Sequence, residues 1–528
     1  MSPSEQASPD HPVRAARTLI IDLPGPDLDA ESASLMAEFG FGGVCLFSRN
    51  VSTPERTAKL VRDIRGLLGP GALIGIDQEG GAVLRRLDVP LPPAPMGLSA
   101  AVLGEGFGSE TVHNETVQNA AAHEAGAIAA RGLIELGINW NYAPCLDVNV
   151  DPANPVIGER SFGADPQVVA RLGVAWALGC ESAGVLSAVK HFPGHGDTAQ
   201  DSHLTLPTVN KTRAELEAGG WLPFRAAVRA GVGSVMTAHI VYPALDPELP
   251  ATLSPAVLSG LLRRDWGYDG VVVTDATDMR AIRDRYPNGQ AGPLALNAGA
   301  DAVLSCGHGD HTVHREHAEA LERALADGTL SGVRLREALG RLARAARQFP
   351  GTPRPYPEAQ RQLDQGQIDG WARASVTRLE TFAPLNPGQD VLLLVPEGAG
   401  VGGPYGEFLS GKALSDALQR FLPRLHAVVL GQEDTEQAQA LKVQALLARF
   451  PDAPVLVATT DRWQVPSSLL ALVPLLQPRR TVHLAVWNPY LAARLPFPAL
   501  LSYGFRPSNL EALGYALISG EAPGRLPV

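Results

Sequence analysis

The sequence predicts an α/β protein in two parts, a (β/α)8 TIM barrel followed by a smaller doubly wound α/β domain. Three observations carry this. From residue 17 to about 348, short runs rich in Val, Ile and Leu alternate with longer stretches of helical period; eight such runs can be counted; and the same alternation restarts beyond a Pro/Gly-rich interruption. A chain of 528 residues also exceeds one ordinary core.

The candidate barrel strands are Thr18–Leu23, Gly43–Phe47, Ala72–Asp77, Ile138–Leu146, Ser187–His191, Ser234–Ile240, Gly270–Asp275 and Ala302–Ser305. Helix candidates lie between them, such as Pro54–Leu68, capped by Ser52 or Thr53 with Pro in its first turn, and the Ala-rich Glu115–Leu136. A catalytic barrel over residues 1–348 is therefore expected. The stretch Phe349-Pro350-Gly351-Thr352-Pro353-Arg354-Pro355-Tyr356-Pro357 can continue neither a helix nor a central strand and opens a linker region over 349–385. Over 386–528 the runs Val391–Val395, Ala427–Leu430, Val455–Ala458, Val482–Val486 and Ala499–Tyr503, with helical stretches such as Thr435–Arg449, predict an α/β sandwich domain of unassigned role.

Forty-four basic against 55 acidic residues leave a net charge of −11, so no broad basic field attracts nucleic acid or an anionic membrane. A small neutral partner fits better. The polar start Met1-Ser2-Pro3-Ser4-Glu5-Gln6 lacks the basic and apolar regions of a signal peptide, and no later run is long enough to span a bilayer, so the chain reads as cytoplasmic. Cys45, Cys145, Cys180 and Cys306 stand far apart in apolar contexts and read as buried free thiols.

Active sites of such barrels sit at the C-terminal ends of the strands. Asp77-Gln78-Glu79-Gly80-Gly81 follows the third candidate strand, Lys190-His191 the fifth, His239 the sixth and Asp275 the seventh. One acid at a strand end is commonly a loop cap; polar ends on several strands of one barrel point to a site. The most specific stretch runs from Ala188 to His203, where a strand enters a Gly/Pro loop bearing Lys190, His191, His195, Asp197, Asp201 and His203. Asp201 and His203 are separated by one residue, so in an extended loop both face one side and the carboxylate can support the imidazolium, as a general acid/base pair requires.

The run Lys190-His191-Phe192-Pro193-Gly194-His195-Gly196 through Asp201-Ser202-His203, with Ile76-Asp77-Gln78-Glu79-Gly80-Gly81 and Thr274-Asp275 followed by Met279, resembles the NagZ-type β-N-acetylglucosaminidases of glycoside hydrolase family 3. The resemblance covers roughly residues 17–348. It implies a retaining exo-glycosidase that removes terminal N-acetylglucosamine from cell-wall fragments, needing neither metal nor cofactor. By the same resemblance Asp275 is the nucleophile, His203 the acid/base and Asp201 its orienting partner, while Asp77, Arg85, Arg160, Lys190 and His191 bind the sugar. Two departures concern Ala82, where the family usually has Arg, and Ala276, where it often has a second acid. A His donor suits neutral pH, because its reference pKa of about 6.5 needs less tuning than that of a Glu.

Rival readings are a phosphorylase using the same site, a metal-dependent barrel hydrolase ligated by His191, His195, His203, His239 and Asp275, and a non-catalytic sugar-binding protein. The first strand lacks the His-x-His of such metal barrels. Glu79 is the second candidate for proton donor. The glycines from Gly398 to Gly403 have dinucleotide-like spacing but run straight into Pro404, and His308, His311, His314 and His317 read as a solvated helix start.

Overall fold

The structure, a computed structural model, describes residues 14–85, 87–105, 107, 114–198, 206–398, 405, 408–431 and 434–528. Eight parallel strands follow one another in chain order: β1 (Leu19–Ile21), β2 (Gly43–Leu46), β3 (Leu73–Ile76), β4 (Trp140–Asn141), β5 (Leu186–Phe192), β6 (Ser234–Thr237), β7 (Val271–Val273) and β8 (Val303–Ser305). β8 pairs with β1 and meets β7 through the Val273–Ala302 bridge, which closes the barrel. Each expected strand is present. The fourth is much shorter than Ile138–Leu146 because Pro144 has no N–H to offer the ladder.

Strand alternation divides the apolar residues between two layers. Leu19, Ile21, Val44, Ile74 and Val189 pack under the surrounding helices, whereas Ile20, Cys45, Leu73, Trp140, Tyr142, Ala188, Met236 and Val273 fill the barrel interior. Helix α1 has the predicted bounds, Pro54–Leu68, and the Thr53 side chain accepts from Arg56 N at 3.3 Å as its cap. All four cysteines are free and buried. Among the described residues no helix is long and apolar enough to cross a membrane.

The second sheet comprises β9 (Thr377–Leu379), β10 (Val391–Pro396), β11 (Leu425–Leu430), β12 (Val455–Thr459), β13 (Thr481–Ala485) and β14 (Ala499–Leu501), in the order β9-β14-β13-β12-β10-β11. Its five parallel strands thus follow the doubly wound order 2-1-3-4-5, with β9 antiparallel at one edge. Both faces are covered: Val391, Leu393 and Val395 face one apolar cluster, Leu392 and Leu394 the other.

The region 349–385, expected as a linker, is largely structured. The Pro-rich part up to Pro357 lacks helix and strand, as do residues 380–385; between them lie an 18-residue helix, α2 (Glu358–Ser375), and β9. The sequence around Glu358 carries no strong cap, and the helix is held by tertiary contacts. Ile368 and Trp371 join the barrel's apolar core and Ala372 joins that of the second sheet. Its buried Asp364 accepts from Arg131 Nε and Nη2 at 2.7 and 2.8 Å, from Tyr356 OH at 2.5 Å and from Gln360 Nε2 at 2.8 Å. Removing that carboxylate orphans several donors at once, so Asp364→Ala is expected to lower the unfolding free energy by about 3 kcal/mol. Urea denaturation of both proteins checks it, and a loss below about 1 kcal/mol would show that apolar packing alone holds the helix.

Candidate active site

β3 delivers Asp77, Gln78 and Glu79 to the C-terminal mouth of the barrel. Gln78 fixes the loop that follows. Its backbone N–H donates to Asn141 Oδ1 at 3.0 Å, while its side-chain amide accepts from Arg85 N at 2.7 Å and donates to Arg85 O at 3.1 Å. The chain can turn back this tightly because Gly80 and Gly81 adopt positive φ, and a Cβ on Gly81 would lie 2.5 Å from that of Ala94. Arg85 is thereby brought to Asp77, with Nη2 3.2 Å from Oδ2.

β5 supplies two neighbours in sequence, Lys190 and His191, to the same cavity, across a register irregularity between Val189 and Phe192. Lys190 Nζ lies 2.8 Å from Asp77 Oδ1 and 2.7 Å from Glu79 Oε1. Arg160, on the short turn Gly158–Arg160, holds Glu79 by a two-pronged pair at 2.9 and 2.8 Å. Burial pushes the Glu79 carboxyl up, but Arg160 and Lys190 outweigh it and hold the pKa at about 2. Burial pulls the Lys190 ammonium down, and Asp77 and Glu79 more than reverse it. Positive and negative groups therefore alternate along Arg85, Asp77, Lys190, Glu79 and Arg160. Held ionised by Arg160 and Lys190, Glu79 is placed as a fixed anion of this array rather than as a proton donor.

His191 is oriented from behind by Asp147, which the sequence reading passed over. Asp147 Oδ2 lies 2.7 Å from His191 Nδ1, and its carboxylate also accepts from His191 N at 3.2 Å, His195 N at 2.5 Å and Cys145 Sγ at 3.0 Å. Burial alone would raise its pKa; the His191 ring, His195 and the Cys145 thiol hold it below the ordinary carboxylate range. The expected fourth strand, Ile138–Leu146, ends directly before Asp147, so the strand-end rule already offers this residue, although the observed strand stops at Asn141. Cys145, Asp147 and His191 offer ligand atoms within 4.8 Å of one another, a possible cation site by geometry. Those atoms are already engaged with each other, and burial keeps the Cys145 thiol protonated, so the trio acts as a hydrogen-bonded anchor. His195 is kept neutral, its pKa lowered to about 4 by burial and by the neighbouring His191.

Asp77, Arg85, Arg160, Lys190, His191 and Asp275 line one cavity of about 390 Å³. Asp275 follows β7, half-buried, with Oδ1 accepting from Ala276 N at 2.8 Å. His239, from the end of β6, sits behind it: Nε2 donates to Ala276 O at 2.9 Å and Nδ1 meets Thr252 Oγ1 at 2.8 Å. It anchors the backbone of the loop that carries Asp275. The opposite wall brings in Asp22 and Asp278, which the sequence does not single out, and Cys45 and Cys306, which it marks only as buried thiols. Burial and the charges of Asp22 and Asp275 push the Asp278 carboxyl up to about 7, and among the described residues its Oδ1 has no hydrogen-bond partner.

Asp201 and His203 lie outside the described residues, as do Ala399 to Pro404 of the glycine run. Of the run His308, His311, His314 and His317, the first is exposed and the second partly exposed as expected, but the last two depart from the expected solvated face. His314 and His317 are buried, both reaching Ser305 Oγ at 3.1 and 2.6 Å, and His314 Nε2 lies 2.9 Å from Asp22 Oδ1. They face β8 because the helix His311–Ala326 packs its three-residue stripe inward.

A closed parallel barrel with its ionisable groups gathered at the C-terminal strand ends is a TIM-barrel enzyme. Residues 17–345 match the model of the glycosyl hydrolase family 3 N terminal domain. The chain belongs to glycosyl hydrolase family 3 and is a glycoside hydrolase. A beta-hexosaminidase of Alkalilimnicola ehrlichii is 38% identical over 291 residues, covering 55% of this chain and 80% of its own. The structure of a family 3 beta-N-acetylglucosaminidase from Paenibacillus sp. str. FPU-7 superposes with a TM-score of 0.86 at 32% identity over 97% of both chains. A beta-glucoside phosphorylase, BglX, shares the fold at 20% identity, with a TM-score of 0.79 over 99% of this chain and 94% of its own.

The Glu79 ion pairs carry a pH signature. The folded pKa of about 2 lies below the unfolded value of about 4.3, so their contribution is complete above the unfolded pKa and is lost as pH falls through the folded one. Stability is expected to fall between about pH 4 and about pH 2, and Glu79→Gln, which strands two buried cations, to cost about 3 kcal/mol near neutrality and to flatten that fall. Urea unfolding across pH measures both effects; an unchanged acid slope in the variant would refute the assignment.

Proposed function

We propose that the chain is a retaining exo-β-N-acetylglucosaminidase that releases terminal N-acetylglucosamine from cell-wall fragments in the cytoplasm. The names of its relatives support the sugar, and one observation supports the chemistry: Asp275 shares a single cavity with the fixed array of Asp77, Arg85, Arg160, Lys190 and His191. That array mixes anionic acceptors with cationic donors, which suits the hydroxyls of an uncharged sugar.

In this reading the Asp275 carboxylate attacks the anomeric carbon as the bond to the leaving oxygen breaks, and His203 gives that oxygen its proton. Water then displaces Asp275 from the glycosyl-enzyme while His203 takes a proton from it. Asp201 orients the imidazole. Asp77, Arg85, Arg160, Lys190 and His191 fix the sugar so that its anomeric carbon meets Asp275.

The aryl glycoside of N-acetylglucosamine is expected to release nitrophenol much faster than the aryl glucoside, and Asp275→Ala to retain below about one per cent of the rate with folding intact. Faster cleavage of the glucoside would overturn the sugar; a more active variant would overturn the nucleophile. A sugar 1-phosphate in place of free sugar on adding phosphate would mean phosphorolysis.

Nitrophenolate departs with little acid assistance, whereas a sugar alkoxide needs a proton. His203→Ala is therefore expected to reduce kcat/KM for a natural disaccharide by roughly 10²–10⁴ and for the aryl glycoside by clearly less, with Asp201→Ala milder in the same sense. Equal losses on both substrates would show that the loop only shapes the pocket.

A further inference from the structure

We infer that Arg462 of the second domain is a positioning residue for Arg160, acting through Glu159, so that the second domain holds one wall of the sugar pocket. The inference rests on the preceding reading of the pocket as a sugar site. Arg160 leaves one side of the turn Gly158–Arg160 to grip Glu79; the residue before it is gripped from the second domain. Glu159, 1% exposed, accepts from Trp487 Nε1 at 2.8 Å through Oε1, and its Oε2 lies 3.3 Å from Arg462 Nε.

Arg462, also 1% exposed, is fixed in turn. Its Nε donates to Tyr405 OH at 2.9 Å, Tyr405 OH donates to Val156 O at 3.1 Å, and Asn488 Nδ2 donates to the Arg462 carbonyl at 2.8 Å. Trp487 packs edge-on against both Tyr405 and Phe505, with centroids 5.4 and 5.1 Å away. The turn accommodates the guanidinium because residue 158 is glycine: φ is +48°, and a Cβ there would lie 2.6 Å from Arg462 Nη2. One approach thus needs both the left-handed backbone and the missing side chain.

Among the described residues, Arg462 Nη2 and Glu159 Oε2 lack hydrogen-bond partners, so the pair does not repay its full desolvation. Replacing such a pair by apolar groups is commonly neutral for stability, which leaves placement of the turn as what the pair contributes. The charges continue the alternation of the pocket: Arg462 and Glu159 on one side of the turn, Arg160, Glu79, Lys190 and Asp77 on the other. A second tie runs the same way, since Arg506 Nε donates to Gly81 O at 3.2 Å and Ala82 and Val83 lie in the second domain's apolar core, below the loop that carries Arg85.

The test uses the full chain and the aryl glycoside of N-acetylglucosamine. Arg462→Met is expected to fold, to raise KM about tenfold and to leave kcat within about threefold, with Arg462→Lys recovering part of the loss. In an Arg160→Met background the same substitution is expected to add nothing, because both act on one contact. A folded Arg462→Met with wild-type KM, or losses that multiply in the double variant, would overturn the inference. Should Arg462→Met not fold, Trp487→Phe, which removes only the hydrogen bond to Glu159, is expected to shift KM in the same direction by a smaller factor, and an unchanged KM there overturns it equally. If the wild-type chain does not cleave the substrate, the sugar reading fails by itself. The brace is then read without substrate, from the Arg160 Nε–H signal of ¹⁵N-arginine-labelled protein, which should be protected from exchange in the wild type and lose protection in the Arg462 or Trp487 variant; equal protection overturns it.

Discussion

The pocket depends on a buried run of opposite charges, Asp77–Lys190–Glu79–Arg160, assembled from three separate parts of the chain. Burying a charge in a protein costs several kcal/mol unless partners are in contact, so each of these side chains is tolerable only where the others stand. That mutual dependence sets the requirements around it. The Gln78–Arg85 clasp, the positive φ of Gly80 and Gly81, the irregular end of β5 and the Gly158 turn all bring their charged residue to within about 3 Å of its partner. The result is a set of fixed donors and acceptors in place before any ligand arrives, which is how enzymes avoid reorganising at the moment of reaction.

The other wall of the cavity has a different electrostatic character. Asp275, Asp22 and Asp278 approach one another there, and Asp278 responds by holding its proton to about pH 7. Asp22 is satisfied from outside the cavity by Arg49 and by Gly309 N at 3.1 Å. A wall that carries fixed charge and a wall that sheds it meet across Asp275, which is half-buried and whose Oδ1 accepts from Ala276 N. His191 and His239 stand behind the two walls as anchors, one held by Asp147 and the other by Thr252.

The two sheets are joined through more than a linker. Helix α2 contributes to both apolar cores, Tyr490 OH accepts from Asn149 at 2.8 Å, and backbone bonds from Ala164 to Pro527 and from Glu105 to Pro523 sew the C-terminal segment across the barrel. A doubly wound sheet ordinarily uses its own strand ends as a ligand site. Here the ends of β12 and β13 present Arg462 and Trp487 to the barrel instead.

Much of this was legible in the chain. The eight apolar runs gave eight strands in the expected order because a parallel barrel buries both strand faces and so writes itself as short continuous apolar segments, and Pro54–Leu68 announced its own cap and start. Polar residues at strand ends marked Asp77, Lys190, His191 and Asp275, and the motif resemblance added Arg85 and Arg160. What local sequence could not carry was any property set by a distant partner. Asp364 needs Arg131 to make a helix out of an apparent linker, His314 and His317 are buried only because Ser305 faces them, Asp147 matters through a histidine 44 residues away, and Glu159 looks like a loop acid until Trp487 meets it. Periodicity, capping and turn chemistry act within a few residues and were fixed by the sequence itself; burial and ionisation depend on which surfaces close over a group, and only the tertiary structure decided those.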